Sequence, residues 1–537
     1  VFRSRLLKMK KVSLKNILLY CILTFLFLHN VEGANRNMNK CKNIELVLSG
    51  TILKQEMLDV PNARYIIEST LNLDKKTIRV PDNCVLIFRG GALKNGEVVG
   101  QVVVEADAVQ IFDDLICREL VNRSIPIEWY GGKAYKTLAE CKKGQDSSEA
   151  INRVLQSNYR HKEVLFLGGY YRIDNTVTIS RGYNFASLSN KNDYNNYSEE
   201  NIGSRLVFTG IGKPMFIIAD NQVSFDGFNF YHGSSKDGTD CFHFSNEART
   251  LTIKNSMLYL WRYCIYKEWD GVSRTGLNRC TFENVKFSSC IGGIFMNQIT
   301  AGGNEMYYCT ANYFDNCTFE YCHFGAYFIS NSNFAMVEFN RCNFYKIGWG
   351  KYDKAIYDKL GCFGIRFNCG YNRSQSSHVI IRGCYFEDIV PYRIGDRFDE
   401  NGEIRMGKMI YPTNDKYYSC IISENNSYII DGCSFTNCPK YFSGDKYCSW
   451  DIRENRIFGY NMKIPMQWSN KKLLRVFKAN RQVKYGNLKS TIYYSNILGS
   501  NNVILNGLVD FDVHEDQNMY RVLNCFEDSF VDFPSLY

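Results

Sequence analysis

The sequence predicts an all-β chain folded as a right-handed parallel β-helix, a solenoid. Three observations predict this fold. A degenerate repeat returns along the chain; the composition favours strands, with 37 Tyr, 36 Phe and only 9 Pro; and only one short segment has the 3.6-residue period of an amphipathic helix. At 537 residues the chain is also long for one conventional core. A solenoid avoids that limit because each coil is buried against its neighbours.

The repeat consists of alternating apolar residues, an Asn or Asp beside a small residue, then Cys or an apolar residue, a spacer and Phe. Asn, Asp and Gly suit the bends between strands because they tolerate left-handed dihedrals. Five cysteines share one position of the pattern, with spacings of 37, 25, 42 and 49 residues. We expect a buried ladder of unpaired thiols, with disulfides only where the geometry allows them. The five are Cys280, Cys317, Cys342, Cys384 and Cys433.

The N-terminus predicts an export signal. Four lysines precede an apolar run of 12 residues, Ile17 to Leu28, which is shorter than the roughly 20 residues that a membrane span needs. An uncleaved anchor is the alternative. Without residues 1–33 the formal charge falls from +9 to about +4, which is too small and too dispersed to indicate nucleic-acid binding. We expect a secreted, periplasmic or cell-surface bacterial protein with no membrane span after signal removal.

One segment, residues 146–156, predicts a helix that caps the solenoid. Asp146 is placed to cap its N-terminus, and Glu149 lies at the capping-box distance. A strand, a glycine turn and another strand follow over residues 163–173. The predicted organisation is a signal peptide (1–33), a small N-terminal β module or leading coils (34–125), the parallel β-helix (126–510) and a C-terminal closing segment (511–537).

Three segments carry a family resemblance: Ile127-Glu-Trp-Tyr-Gly-Gly132, Asp146-Ser-Ser-Glu-Ala-Ile151 and Val164-Leu-Phe-Leu-Gly-Gly-Tyr170. They resemble the opening of the pectate-lyase-like superfamily of β-helix proteins, which includes polysaccharide lyases, polygalacturonase-type hydrolases and tailspike-like proteins. The chain departs from that opening at Ser147, where a second Asp is usual, and at Leu167-Gly168, where Pro is usual. The resemblance implies the solenoid fold and a polysaccharide partner.

One strand stack predicts a ligand-binding groove. Outward side chains of successive coils lie about 4.8 Å apart, and strand alternation yields an aromatic column that contains one His and one Arg. Trp261, Trp269 and Trp349 are candidate sugar platforms beside it, with ordinary packing as the alternative. The predicted outward column, in coil order, is His243, Tyr266, Phe295, Tyr327 and Arg366.

An acidic cluster suggests hydrolysis in this groove. Lys236-Asp-Gly-Thr-Asp240 resembles the N-T-D-G-x-D motif of polygalacturonase-type hydrolases, in which carboxylates act as acid and base around an attacking water. The candidate catalytic carboxylates are Asp237 and Asp240, with Glu268 and Asp270 from the next coil. The family's paired Asp, Gly-His-Gly and Arg-Ile-Lys motifs are absent. The alternative is that Asp237-Gly238 is only a turn.

A lyase would use the groove differently. Abstraction of the proton beside a uronate carboxylate needs a base, for which Lys267, His243 and Arg366 are candidates, and a cation to neutralise the carboxylate. Calcium bound by the acidic cluster would supply that charge. The sequence therefore predicts a carbohydrate-active enzyme, a lyase or an inverting hydrolase, acting on an acidic polysaccharide. A non-catalytic glycan-binding or adhesin-like surface protein is the alternative, because a fold survives loss of its site.

Overall fold

The computed structural model divides the chain into two compact units. Unit 1 comprises Val1–Gly132 and Glu149–Leu165, and unit 2 comprises Lys133–Ser148 and Phe166–Tyr537. The structure describes residues 44–157, 159, 163–188, 203–245, 248–268, 275–298, 308–330, 334–348, 361–369, 379–389, 393–394, 397–398, 404–405, 408–409, 418–424, 427–436, 438, 442–444, 449–453, 456–458, 483–484, 488–495, 509–511, 517–523 and 526–529. The predicted signal peptide lies outside these residues.

Unit 1 is built from short parallel strands. One sheet pairs Glu45–Leu48, Arg64–Ile67, Val85–Phe88 and Val103–Glu105 in that order. Tyr65 and Leu86 are almost fully buried beneath it. A second sheet consists of Thr70–Asn72, Thr77–Arg79, Ala92–Val99 and Phe112–Cys117, and Ser124–Pro126 pairs with Glu163–Phe166. Single turns of 3-10 helix occur at Gln55–Met57 and Ile127–Tyr130.

The predicted helix is present as Ser148–Gln156. The Asp146 carboxylate accepts hydrogen bonds from the backbone N–H and the hydroxyl of Ser148, at 2.9 and 2.6 Å. Glu149 instead forms an ion pair with Arg153 one turn later. A second helix, Leu138–Lys143, was not predicted; it begins with a capping box between Thr137 and Glu140. Its six residues are too few for a periodic apolar stripe to be recognised.

Unit 2 winds through three parallel sheets, sheets 1, 2 and 3. Every pairing between successive strands of these three sheets is parallel among the described residues, apart from Val483–Lys484 with Leu488–Ser495. Sheet 1 contains Val177–Ile179, Phe216–Ile218, Phe242–Phe244, Tyr263–Glu268, Gly292–Gln298, Phe324–Ser330, Cys362–Cys369, Tyr418–Glu424, Phe442–Gly444 and Val509–Phe511.

Sheets 2 and 3 share the long strands Leu251–Tyr259 and Thr281–Ser288. The other strands of sheet 2 are Asn184–Ser187, Val223–Asp226, Thr275–Asn278, Tyr308–Asp315, Phe334–Asn340, Val379–Arg382, Ser427–Asp431, Ser449–Arg453, Leu488–Ser495 and Gln517–Leu523. The other strands of sheet 3 are Gly169–Ile173, Ser204–Phe208, Phe228–His232, Thr318–Glu320, Asn343–Tyr345, Tyr385–Glu387, Ser434–Thr436, Arg456–Phe458 and Phe526–Ser529. Two small antiparallel pairs join Arg393–Ile394 to Lys408–Met409 and Arg397–Phe398 to Ile404–Arg405.

Like residues stack inside the coils, as a solenoid requires. In sheet 2 the rings of Phe282, Phe314 and Phe339 stack at centroid distances of 4.8 and 4.4 Å. In sheet 3 the stack begins with Phe287 and Phe319 at 4.6 Å and continues through three more coils. Each aromatic pair adds about 0.5–1.5 kcal/mol to the stabilisation from burial alone. The prediction of an all-β parallel β-helix is therefore confirmed.

Four of the five predicted ladder cysteines occupy one interior position between sheets 2 and 3. Their thiols are buried, and each donates to a carbonyl oxygen of the preceding coil, as Cys317 does to Phe282 at 3.3 Å. These four cysteines, called the thiol ladder below, are Cys317, Cys342, Cys384 and Cys433. No disulfide joins the sixteen cysteines whose side chains the structure describes.

Cys280 does not belong to the thiol ladder, so this part of the prediction was wrong. Its backbone N–H donates to the Asn312 side chain, and Phe282 pairs with Phe314 rather than with Phe319. Val285 fills the ladder position of that coil instead. The segment Asn278-Arg-Cys-Thr-Phe282 has the sequence of the repeat but lies one strand earlier in the coil. It belongs to sheet 2, before the bend that leads to sheet 3.

Among the described residues, no helix is long and apolar enough to cross a membrane.

Candidate functional site

The five side chains of the predicted outward column do share one register position on sheet 1. His243 pairs with Tyr266, and the same position continues through the next three coils. Tyr266, Phe295, Tyr327 and Arg366 are nevertheless 4–9% exposed. Arg366 lies over the rings of Tyr327 and Phe363, at 4.6 and 5.7 Å. The accessible part of the column is therefore its first residue, the half-buried His243.

The inward–outward alternation of side chains breaks at the start of the sheet 1 strand Tyr263–Glu268. Because of this break, Tyr263 also lies on the outward face. Cys264 and Ile265 are both fully buried in succession, so the residue before them faces outward. Tyr263 stacks on Phe295 at 4.8 Å and on Tyr266 at 5.5 Å. In the next coil, at the position opposite Cys264, a Cβ on Gly293 would lie 2.6 Å from the ring of the interior Phe319. The absence of a side chain at Gly293 lets the coil close against that ring.

Arg262 and Asp240 form a two-pronged ion pair beside this face. The guanidinium donates from Nε to Oδ1 at 2.8 Å and from a terminal nitrogen to Oδ2, and the Tyr263 backbone N–H donates to Oδ1 at 3.2 Å. Burial raises the pKa of the Asp240 carboxyl, and the Arg262 charge opposes that shift. The guanidinium also lies 5.0 Å from the Tyr263 ring and 5.1 Å from the Tyr266 ring. About a third of the Arg262 side chain, 34%, stays exposed.

His243 stands in the same cluster with its ring nitrogens available. Its ring meets the edge of Tyr266 at 4.8 Å, and among the described residues neither nitrogen has a hydrogen-bond partner. Burial lowers the pKa of the imidazole below its ordinary value of 6.5, and the nearby charges of Asp240 and Arg262 act on it in opposite directions. The imidazole is therefore neutral at pH 7.

Tyr263 and Tyr266 are protonated phenols at neutral pH. Burial raises the pKa of Tyr263 to about 12. The pKa of Tyr266 is raised further, by burial and by the hydrogen bond that its hydroxyl donates to Glu268. The Glu268 carboxylate itself is exposed. The predicted site residues Tyr266, Glu268, Asp240 and His243 are thus brought together.

Asp237 is held by a hydrogen bond with His232. His232 Nε2 lies 2.6 Å from the Asp237 carboxylate and Nδ1 lies 3.0 Å from the carbonyl oxygen of Phe208. Burial alone would raise the pKa of Asp237, but hydrogen bonds from Thr239 and His232 lower it overall. Asp237 is therefore an ionised structural partner of a histidine.

Two predicted site residues face the interior. Lys267 is 1% exposed, and its amine donates to the carbonyl oxygens of Ser245 and Ala248 at 3.1 and 2.8 Å. It pairs in register with the buried Met296. The Trp261 ring is fully buried against His232, and its N–H donates to the carbonyl of Phe230. Both side chains are therefore buried in the interior rather than exposed in the groove.

Trp269, Asp270 and Trp349 lie outside the described residues. Of the predicted calcium ligands that are described, Asp237 and Asp240 are paired with His232 and Arg262. Within the described part of the chain, no three His, Cys, Asp or Glu residues are grouped as a metal site would require.

Sequence reasoning missed Arg262, Tyr263 and His232. The predicted column assumed strict alternation, under which Tyr263 would face the interior, so neither Tyr263 nor Arg262 was considered. One signal was present: glycine pairs at the row starts, such as Gly292-Gly293, mark a place where the backbone approaches the core closely. The partner of His232 lies five residues away across a bend, a contact that no strand pattern encodes.

No family model and no curated protein matches the chain. Similar solved structures include Geobacillus virus E2 ORF18, with 13% identity, 63% of this chain and 58% of that chain covered, and a TM-score of 0.35. The Agl-KA catalytic domain has 11% identity, 75% and 68% coverage, and a TM-score of 0.30. A PL6 alginate lyase in complex with a trisaccharide has 8% identity, 78% and 80% coverage, and a TM-score of 0.21. The chain thus spans 58% of the length of the viral protein.

Proposed function

We propose that this chain is an exported carbohydrate-active β-helix protein that cleaves an acidic polysaccharide by β-elimination. The proposed site consists of His243, Arg262, Tyr263 and Tyr266. One observation carries the proposal: a half-buried, neutral imidazole without a hydrogen-bond partner among the described residues stands in one cluster with a partly exposed guanidinium.

His243 is suited to act as the base. β-Elimination begins when a base removes the proton from the carbon that bears the uronate carboxylate. A base must be unprotonated at the working pH, and the lowered pKa of His243 keeps it so. Its nitrogens have no described partner to give up before they meet a substrate.

Arg262 is suited to neutralise the substrate carboxylate. Charge develops on that carboxylate as the proton leaves, and a positioned cation in a partly dry site stabilises it. The guanidinium has five N–H donors, of which the Asp240 carboxylate engages those on Nε and one terminal nitrogen. A guanidinium held against two aromatic rings is also fixed in orientation before the substrate arrives.

Tyr263 is suited to protonate the leaving oxygen. Its phenol keeps its proton because burial raises the pKa to about 12. The ring itself is half-buried and stacked on Tyr266 and Phe295. Flat aromatic surfaces of this kind pack against the apolar faces of sugar rings.

Inverting hydrolysis is less well supported by the same residues. It needs one carboxylic acid with a raised pKa and one free carboxylate. The pKa of Asp237 is lowered by its hydrogen bonds, and both oxygens of Asp240 accept from Arg262. Burial raises the pKa of Asp240, but neither of these two carboxylates is free to act on a bond or a water, and the Glu268 carboxylate accepts from the Tyr266 hydroxyl.

A panel of uronate-containing polysaccharides tests the proposal. The purified chain is expected to generate unsaturated products, detected by ultraviolet absorbance, from at least one member. Arg262→Lys keeps the charge but loses the two-pronged geometry, so its rate should fall by about tenfold or more. Arg341→Lys is the matched control, because Arg341 makes the same kind of pair with Asp315 on an exposed bend. Equal rates for the two variants would refute the role of Arg262.

The half-buried ring of Tyr263, stacked on Tyr266 and Phe295, favours one second candidate, a non-catalytic glycan-binding protein. Tyr263, Tyr266 and Phe295 form a stacked aromatic surface that needs no catalysis to be useful. In that case the panel would give retention of a polysaccharide on the immobilised chain without release of any product.

A further inference from the structure

Four thiols of successive coils meet inside unit 2 where the chain passes from sheet 3 to sheet 1. Cys241, Cys264, Cys290 and Cys322 are all fully buried. Within this group the sulfur atoms of Cys264 and Cys290 lie 3.1 Å apart. This pair is distinct from the thiol ladder and takes no part in the proposed chemistry.

The arrangement of this pair differs from that of the thiol ladder in a way that matters for bond formation. Ladder thiols such as Cys317 and Cys342 stack directly over one another, at the roughly 4.8 Å spacing of neighbouring strands, and their side chains point in the same direction. A disulfide needs Cβ atoms about 3.8 Å apart, with the two side chains directed at each other. In-register stacking satisfies neither requirement.

Cys264 and Cys290 are not in register with each other. Cys264 lies between the positions that pair with Gly292 and Ile294, whereas Cys290 lies at the bend before that strand. The Cys290 sulfur also accepts from the Trp261 backbone N–H at 3.5 Å and donates to the Ser288 carbonyl at 3.1 Å. The two side chains thus start from different register positions, and their sulfur atoms come within 3.1 Å of each other.

We propose that Cys264 and Cys290 form a disulfide when the chain folds in an oxidising environment. The oxidant is an external disulfide, either a small molecule or an oxidoreductase. One protein thiolate attacks it to form a mixed disulfide and releases one thiol; the second protein thiolate then displaces the other. The net reaction converts two protein thiols and one external disulfide into one protein disulfide and two external thiols.

Burial fixes the outcome at the moment of folding. Desolvation raises the pKa of Cys264 to about 12 and that of Cys290 well above its ordinary value. The thiolate is the reactive species, so the folded chain neither forms nor exchanges this bond at a useful rate. The cross-link lies next to Tyr263 and covalently joins the strand Tyr263–Glu268 to the coil that follows.

Disulfide mapping of the full chain tests the proposal. The chain is refolded with glutathione disulfide or with reduced glutathione, denatured without reduction, alkylated and digested for mass spectrometry. We expect a peptide pair joined through Cys264 and Cys290 in the oxidised sample only, with Cys342 alkylated in both. Full alkylation of Cys264 and Cys290 in the oxidised sample would overturn the proposal, and so would their pairing with a mixture of other thiols.

Two further arms keep the result specific. Cys290→Ser should abolish the joined pair and leave Cys264 alkylated, whereas Cys342→Ser should leave the pair intact. Glutathione disulfide added to the reduced chain after folding should leave both thiols free, because they are buried. Rapid cross-linking of the folded chain would contradict the claim that folding fixes the state. None of these outcomes depends on whether the chain cleaves a polysaccharide.

Discussion

The guanidinium of Arg262 holds the carboxylate of Asp240 from the coil before it, by hydrogen bonds to both oxygens. The Asp240 side chain is 3% exposed and that of Arg262 34%, so the pair spans the boundary between the coil interior and the surface. It lies at the start of the two neighbouring sheet 1 strands that carry His243 and, in the next coil, Tyr263 and Tyr266. The ion pair therefore contributes both to the stability of the coil and to the position of the proposed site.

Asp240→Asn should destabilise unit 2. The amide cannot accept two charged hydrogen bonds, which leaves the Arg262 guanidinium and the Tyr263 N–H partly unsatisfied, at a cost of about 1–3 kcal/mol. The measurement is the midpoint of urea unfolding followed by circular dichroism. Asp315→Asn is the matched control: it breaks the pair with Arg341, whose side chain is 71% exposed, and should lower the midpoint much less. Equal shifts would contradict the structural role of Asp240.

His243→Gln should abolish most product formation without unfolding the chain. Glutamine has a similar size but cannot take a proton, so the rate should fall by about 100-fold or more. Lys254→Gln on the exposed side of sheet 2 is the control and should leave the rate unchanged. Loss of the far-ultraviolet dichroism in the His243 variant would instead indicate a structural role.

The pH dependence of the wild-type rate follows from the same residue. Burial lowers the pKa of His243 below 6.5, so the base is neutral at neutral pH and becomes protonated only under more acidic conditions. The rate should be constant around pH 7 and fall as the pH drops through the lowered pKa. The residual rate of His243→Gln should lack this acidic limb. An acidic limb that persists in the variant would assign the titration to another group.

The repeat predicted the fold because the coils of a solenoid place similar residues at equivalent positions of the sequence. Like residues must stack, so the four ladder cysteines and the phenylalanines two positions later recur wherever sheets 2 and 3 meet. Register along the chain is less well encoded: Asn278-Arg-Cys-Thr-Phe282 matches the repeat but lies one strand early. The deciding contact, between Phe282 and Phe314, is made with a coil that the local sequence does not specify.

The outward column of sheet 1 was predictable in full, since period-2 alternation from Phe242 to Phe244 and its equivalents determines which residues share a face. The burial of this column, and the presence of Tyr263 and Arg262 beside it, could not be predicted. Tyr263 and Arg262 precede a position where two successive residues face inward, which alternation does not foresee. His232 reaches Asp237 across a bend, so the carboxylate that was expected to be catalytic is engaged in hydrogen bonds with His232 and Thr239.

Lys267→Met tests the inward position of a residue that the sequence placed among the candidate bases. The substitution removes a donor from the Ser245 and Ala248 carbonyls, so stability should fall by about 1–3 kcal/mol. The rate per folded molecule should stay within about twofold of wild type, because an interior amine touches no substrate. Urea unfolding and initial rates on the same preparation separate the two effects. A rate loss as large as that of His243→Gln would return Lys267 to the site.

The decisive measurement is the mass of the oligosaccharides that the chain releases from an acidic polysaccharide. β-Elimination breaks the glycosidic bond without adding water, so we expect the fragments with newly formed non-reducing ends to be lighter than hydrolysis products by one water molecule. His243→Gln should abolish these products. Products of the full hydrated mass, or retention of the polysaccharide with no product at all, would contradict the assignment of His243 as the base of a lyase.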